Sequence, residues 1–184
     1  MIEGLNVAYE VTEDRAFWKT RFLAVALTFV SGTLMLIAAG IMVAGPKFGT
    51  WLAGQVQIPP PFPLFWLFIH RTIAFAFGIL AAATLYFLAP NIRQNFRSTL
   101  PGAILAVCFW IGLSCALGIY FRHFGTYNKT YGTLGAGIVL MIWLYWTGFA
   151  MLAGAEFNTV LKQLGEKRQL QLNDRKVPRL ARVV

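Results

Sequence analysis

Phe22 to Ala44 is a run of 23 residues without a charge, and Thr133 to Ala155 is a second of the same length. Between them, Thr72 to Ala89 gives 18 uncharged residues and Leu100 to Phe121 gives 22. As a helix, a 23-residue run is about 35 Å long, enough to cross a hydrocarbon core of roughly 30 Å. Lipid offers the backbone no hydrogen-bond partners, so a crossing segment must satisfy its own N–H and C=O groups, as a helix does. The expected fold is an all-α polytopic membrane helix bundle of four transmembrane helices. Its spans lie at about 22–44, 68–89, 101–121 and 133–155, inside a transmembrane domain of residues 22–160. The first run is longer than a cleaved signal core and reads as an anchor that stays.

The charged residues, 12% of the chain, are crowded between these runs. A soluble domain carries roughly 25%. The net charge of +9 does not point to nucleic acid, because seven of the 16 Lys and Arg fall in the last 23 residues and the rest sit at span ends. With four spans the termini share a side. That side holds twelve basic residues: Arg15, Lys19, Arg21, Arg93, Arg97 and the seven of the tail. The other holds Lys47, Arg71, Arg122 and Lys129. The excess of Lys and Arg on one side predicts that both termini are cytoplasmic. Residues 1–21 then form a cytoplasmic, water-facing segment, partly helical, and residues 161–184 a basic cytoplasmic tail with little apolar periodicity.

Gly45-Pro46 is expected to end the first span, and 47–63 to form a loop stiffened by Pro59, Pro60, Pro61 and Pro63. His70-Arg71 interrupts the second. Either that span starts at Arg71 and the preceding residues lie in the interface, or Arg71 is sunk into the bundle. Pro101 fits the first turn of the third helix. Cys108 and Cys115 are about 10 Å apart along one helix, too far to bond to each other, and read as small packing residues. Small residues recur every four positions in Ala74, Gly78 and Ala82, in Cys108, Gly112 and Ala116, and in Ala150 and Gly154. Such faces let helices approach closely.

The sequence holds no Walker motif, GxSxG or HExxH, and neither His70 nor His123 has a metal-ligand neighbour in spacing. No enzyme activity, catalytic residue, cofactor or metal is expected. Trp143, Tyr145 and Trp146 sit mid-span, where their polar groups need partners. A polar crevice supplies them on one reading, plain helix contact on another. The segment Phe124 to Ala136, FGTYNKTYGTLGA, places Tyr127, Asn128, Lys129 and Tyr131 at the membrane edge beside Gly132 and Gly135. It reads as a substrate-gating turn or as a tight helix connection. Arg71, Arg122 and Lys129 would give that mouth a positive character suited to an anionic lipid headgroup. Glu156, the first charge after the fourth run, completes the candidate functional residues.

LYFLAPN (85–91), LPGA (100–103), FGTYNKTYGTLGA and IWLYWTGFAMLAGAEFN (142–158) together resemble the YihY/virulence factor BrkB family of bacterial inner-membrane proteins. LNVAYEVTEDRAFWKTR (5–21) is similar to that family's segment after its second span. The resemblance implies six spans, of which this chain has the last four. Taken with the placement of the basic residues, the expected partners are the lipid bilayer, anionic lipid, and either the missing N-terminal helices or a homo-oligomer, with no nucleic acid. It implies transport or export of a lipid or another envelope-related solute from the bacterial inner (plasma) membrane. The alternatives are a non-transporting structural or assembly protein of the envelope and, after the family's former ribonuclease BN label, a tRNA-processing ribonuclease.

Overall fold

The computed structural model describes residues 1–56, 62–124 and 128–180. Five helices follow in order: α1 (Ile2–Ala8), α2 (Phe17–Val56), α3 (Phe62–Leu88), α4 (Phe96–Phe124) and α5 (Asn128–Leu180). Four of them, α2 to α5, are long and apolar enough to cross a membrane. The described residues contain no strand.

The uncharged runs are thus helical, but the helices outrun them. α2 passes through Pro46 and continues to Val56, so the expected stop at Gly45-Pro46 and the first part of the expected loop are helix. Pro46 lacks the N–H that would reach back to Met42, and α2 nevertheless runs on through it. Trp66 Nε1 donates to the Gly45 carbonyl at 2.7 Å. Gly45 and Gly49 give α3 room at this point. A Cβ on Gly45 would meet the His70 ring at 2.6 Å, and one on Gly49 would overlap Trp66. Trp66 and His70, four apart on α3, thus lie against two glycines four apart on α2, with Phe48 5.5 Å from the Trp66 ring. Pro59, Pro60 and Pro61 lie outside the described residues.

α3 is unbroken at His70-Arg71. His70 turns inward, 3% exposed, with Nδ1 2.8 Å from the Trp66 carbonyl; Arg71 is on the outer surface. α4 begins at Phe96, so Pro101 lies inside it rather than in its first turn. α5 begins at Asn128, so the glycine-tyrosine segment is helical from there on, not a turn, and the same helix runs on into the basic tail.

Neighbours in sequence are neighbours in space. α2 packs on α3, α3 on α4, α4 on α5, and α1 folds back on α5. The core between them is built largely of alanine: Ala82, Ala83, Ala103, Ala106 and Ala155 are all at most 2% exposed. Without a hydrophobic force between helices in lipid, close approach of small residues is what holds a bundle. Two of the three predicted small-residue faces do this, Ala74–Gly78–Ala82 and Ala150–Gly154, all buried. The third does not: Cys108, Gly112 and Ala116 face outward, and both cysteines are free and exposed. The α4 face that packs is Ala103, Ala106 and Val107.

α2 is the outlier. Only 6% of its apolar window is buried in the bundle, against 33% for α3. It leans on α3 and stands off from α5.

Candidate functional site

The short segment at the start of the chain, expected to face water, is a structural part of the bundle. Leu5, Asn6, Ala8 and Tyr9 are buried. α1 ends in a Schellman turn, with Val11 N donating to Asn6 O at 2.9 Å and Glu10 N to Val7 O at 3.0 Å. Glu10 occupies the left-handed position at φ 54°, where glycine is usual.

Polar side chains then fasten α1 and the α3–α4 connection to α5. Asn158 carries most of the load. Its Oδ1 accepts from Gly102 N at 2.7 Å, and its Nδ2 donates to Thr99 O at 3.1 Å and to the Tyr9 hydroxyl at 3.2 Å. Pro101 disturbs α4 at this point, and the Asn158 amide serves a donor and an acceptor on either side of it. Thr159 Oγ1 donates to Ala8 O at 2.9 Å. Tyr86 OH donates to Met151 O at 2.6 Å, and Gln94 Nε2 donates to Tyr86 O at 2.6 Å. Burial raises the Tyr9 phenol above its ordinary range, so it stays a neutral hydroxyl at physiological pH. Gly102 and Gly154 allow this contact. A Cβ on Gly154 would sit 2.5 Å from both Gly102 O and Tyr86 OH.

On the water side of α1 the fastening is ionic. Glu13 Oε1 accepts from Arg15 Nε at 2.7 Å, and its Oε2 accepts from Asn6 Nδ2 at 2.7 Å. Arg15 reaches on to the Ala89 carbonyl at 2.7 Å. Asn6 Oδ1 accepts from Asn91 N at 3.0 Å. The Arg15 guanidinium and the Asn6 amide both hold the charged carboxylate, which brings Glu13 down to about 2.

Beside this clasp a groove runs along α2, its mouth against α1 and α3 and its inner part reaching α4 and α5. Its mouth, a cleft of about 440 Å³, is walled by Ile2, Glu3 and Leu5 of α1, by Phe17, Thr20, Arg21 and Leu27 of α2, and by Leu85 and Ala89 of α3. A second cleft of about 280 Å³ continues it and shares Thr28, Ser31 and Leu85 with it. This inner part has Gly32 and Met35 on α2, Gly78 and Ala82 on α3, Ala106 and Trp110 on α4, and Thr147 and Met151 on α5. From Thr20 to Met35 along α2 is about 22 Å, more than one leaflet's share, about 15 Å, of the hydrocarbon core.

The predicted residues lie elsewhere. Arg71 and Arg122 are exposed and line neither cleft. Tyr127 lies outside the described residues, and for Asn128, Lys129, Tyr131 and Gly132 the description covers only the helical backbone of α5. Gly135 is half-buried on the same helix. Trp143 finds its partner in α4, with Nε1 3.4 Å from Ser114 Oγ and its ring 5.9 Å from that of Trp110. It therefore backs the groove through Trp110 without lining it. Trp146 is exposed and packs on Phe149. Glu156 is exposed, while Gly154, Ala155, Asn158 and Thr159 around it are buried. Sequence reasoning missed Asn158 and the groove. The signal available for Asn158 was an amide on the buried small-residue face of Ala150 and Gly154, one turn further on.

The model of the family described as virulence factor BrkB matches residues 1–177. The ribonuclease-like protein YfkH of Bacillus subtilis (strain 168) is 32% identical over 161 residues, which cover 88% of this chain and 58% of that protein. A UPF0761 membrane protein of Tolumonas auensis is 28% identical over 176 residues, 96% of this chain and 56% of the relative. A third relative, a UPF0761 membrane protein of Xanthomonas oryzae pv. oryzae, is 31% identical over 144 residues, 74% of this chain and 31% of its own length. The chain thus spans little more than half the length of the first two curated relatives. No solved structure matches it. The chain belongs to the virulence factor BrkB family, and it is a membrane protein.

Proposed function

We propose that this BrkB-family chain binds an amphiphile in the plasma membrane of a bacterium and passes it between leaflets. The observation that carries the reading is the groove along α2. Its mouth, with Glu3 and Arg21, leads into an apolar interior that reaches past one leaflet. An amphiphile has the same division into polar and apolar parts. The clasp around Asn158 keeps α1 in place as one wall of the mouth.

In this reading both termini, and so the mouth, face the cytoplasm, as the twelve-to-four distribution of basic residues supports. Reporter fusions at Val184 and after Gly54 then report opposite sides, and a non-cytoplasmic report at Val184 refutes the orientation.

The transfer itself is tested in reconstituted vesicles with a tail-labelled lipid. A Cβ at Gly32 or at Gly40 meets nothing within 4 Å, so both positions accept a larger side chain. Gly32 lines the groove and Gly40 does not. Gly32→Leu should cut transfer sharply and Gly40→Leu should leave it near the parent rate. Equal rates in both variants, or a parent rate no higher than that of empty vesicles, would sink the proposal.

A second reading draws on the small buried share of α2. In it the chain is a non-transporting scaffold, and α2 presents its free face to further membrane helices. Gly40→Leu, on the outer surface of α2, should then disturb assembly more than Gly32→Leu does. Ribonuclease chemistry forms no part of either reading.

A further inference from the structure

We infer that the mouth of the groove selects a phospholipid whose headgroup carries both a phosphate and an amine, an inference that rests on the groove's being a lipid path. Glu3 of α1 and Arg21 of α2 wall the same cleft. They do not pair with each other: among the described residues the ion pair within 4 Å is Glu13–Arg15. Opposite charges held in one cleft without meeting leave both available to a ligand that brings one of each.

Arg21 is set up as the phosphate side. Its guanidinium carbon lies 5.1 Å from the centroid of the Phe17 ring. A cation held over an aromatic ring keeps its N–H groups as donors, which a phosphate's oxygens can take. Thr20, next to Arg21, lines the same cleft. Glu3 is set up as the amine side. Its helix is fixed by Thr159 to Ala8 and by Asn6 to Glu13 and Asn91, so the carboxylate comes from a held backbone rather than a loose terminus.

The apolar continuation decides between a lipid and a free phosphoamine. The inner cleft, with Gly78, Ala82, Val107 and Trp110, has no charged lining residue and suits an acyl chain. A lipid with a phosphate but no amine would set its negative charge near Glu3 uncompensated. The expected ligand is therefore a phosphatidylethanolamine-type lipid rather than a phosphatidylglycerol-type one.

The test uses the full chain in lipid nanodiscs with two photoreactive lipids, a phosphatidylethanolamine and a phosphatidylglycerol, each with a diazirine on the same acyl carbon. The phosphatidylethanolamine should label the tract around Ser31–Met35 more strongly. Glu3→Gln should shrink that preference by about two- to fivefold, the scale of an exposed ion pair, and Glu3→Lys should reverse it. Water-soluble glycerophosphoethanolamine should compete poorly. Equal labelling by the two lipids, an unchanged ratio in Glu3→Gln, or full displacement by the soluble headgroup overturns the inference. If the lipids label equally but Gly32→Leu still blocks both, the groove reading stands and only headgroup selection falls. If Gly32→Leu leaves all labelling intact, or the tract crosslinks to another copy of the chain instead, both fall.

Discussion

Asn158→Leu removes the amide that joins three parts of the bundle while keeping a side chain of similar size. Three hydrogen bonds go: those to Gly102 N, Thr99 O and the Tyr9 hydroxyl. Hydrogen bonds between membrane helices average about 0.6 kcal/mol each, so three amount to about 2 kcal/mol. The site is 5% exposed. Water therefore cannot fully replace the lost partners, and a backbone group left unpaired in such a place costs about 1–3 kcal/mol. The expected loss is about 2–4 kcal/mol. Membrane proteins commonly unfold irreversibly, so the measurement is the thermal inactivation rate in detergent, compared between variants at one temperature. Limited proteolysis across residues 9–16 should also speed up, because the Tyr9 bond holds that end of α1. Glu156→Gln, two residues away and exposed, is the control and should stay within about 0.5 kcal/mol of the parent. If Asn158→Leu behaves like Glu156→Gln in both assays, the clasp is not what holds this end of the bundle.

Gly154→Ala should destabilise by about 1–3 kcal/mol, since its methyl would sit 2.5 Å from Gly102 O and Tyr86 OH and force the α4–α5 contact apart; an unchanged inactivation rate refutes this. Glu10→Gly should stabilise by about 1 kcal/mol, because it relieves a left-handed φ of 54° in a Schellman turn, and slower hydrogen exchange in α1 would show it. Glu13 is held at about 2 against an ordinary 4.5, so its stabilising contribution is complete above about pH 4.5 and disappears as pH falls toward 2. Protease opening of residues 9–16 should rise through that window in the parent and stay flat in Glu13→Gln.

The four spans were legible because a charge-free run is a linear property, readable without knowing what packs where. Helix ends were not. Gly45-Pro46 has the composition of a stop, yet α2 continues to Val56, with Trp66 and His70 of a distant segment lying against Gly45 and Gly49. Pro101 has the composition of a first turn, yet Asn158 supports it from 57 residues away, inside α4. Both reversals are tertiary, and no local window contains them. Segment 1–21 is partly helical and exposes Glu3, Glu10, Asp14, Lys19 and Arg21, but Glu13 and Arg15 answer each other while Leu5, Ala8 and Tyr9 enter the core. At the candidate site the chemistry-bearing residue types, charges, aromatics and glycines, draw a sequence reading to the other end of the bundle. Asn158 is a neutral amide beside the charged Glu156, and only the packing shows that Asn158 is buried and Glu156 faces outward.

The clasp and the groove are mechanically one object. Glu3 and Leu5 wall the mouth, and α1 is held from the other side by α5 through Thr159 and through Asn158 to Tyr9. α5 also walls the inner groove with Thr147, Ala150 and Met151, and Met151 O is bonded by Tyr86 of α3. One stretch of α5, residues 147–159, therefore fixes the depth of the groove with one set of side chains and its opening with the next. A change that loosens Asn158 should reach the mouth before it reaches the spans, because α1 rests on few helix contacts and α3–α4–α5 rest on many. Amphiphile binding should thus fail under milder heating than helix content does. In a bundle whose only weak part was α2, the opposite order would hold, with α2 parting from α3 at Gly45–Gly49 while the α1 mouth kept its shape. Following lipid labelling and helix content in the same heated sample separates the two orders.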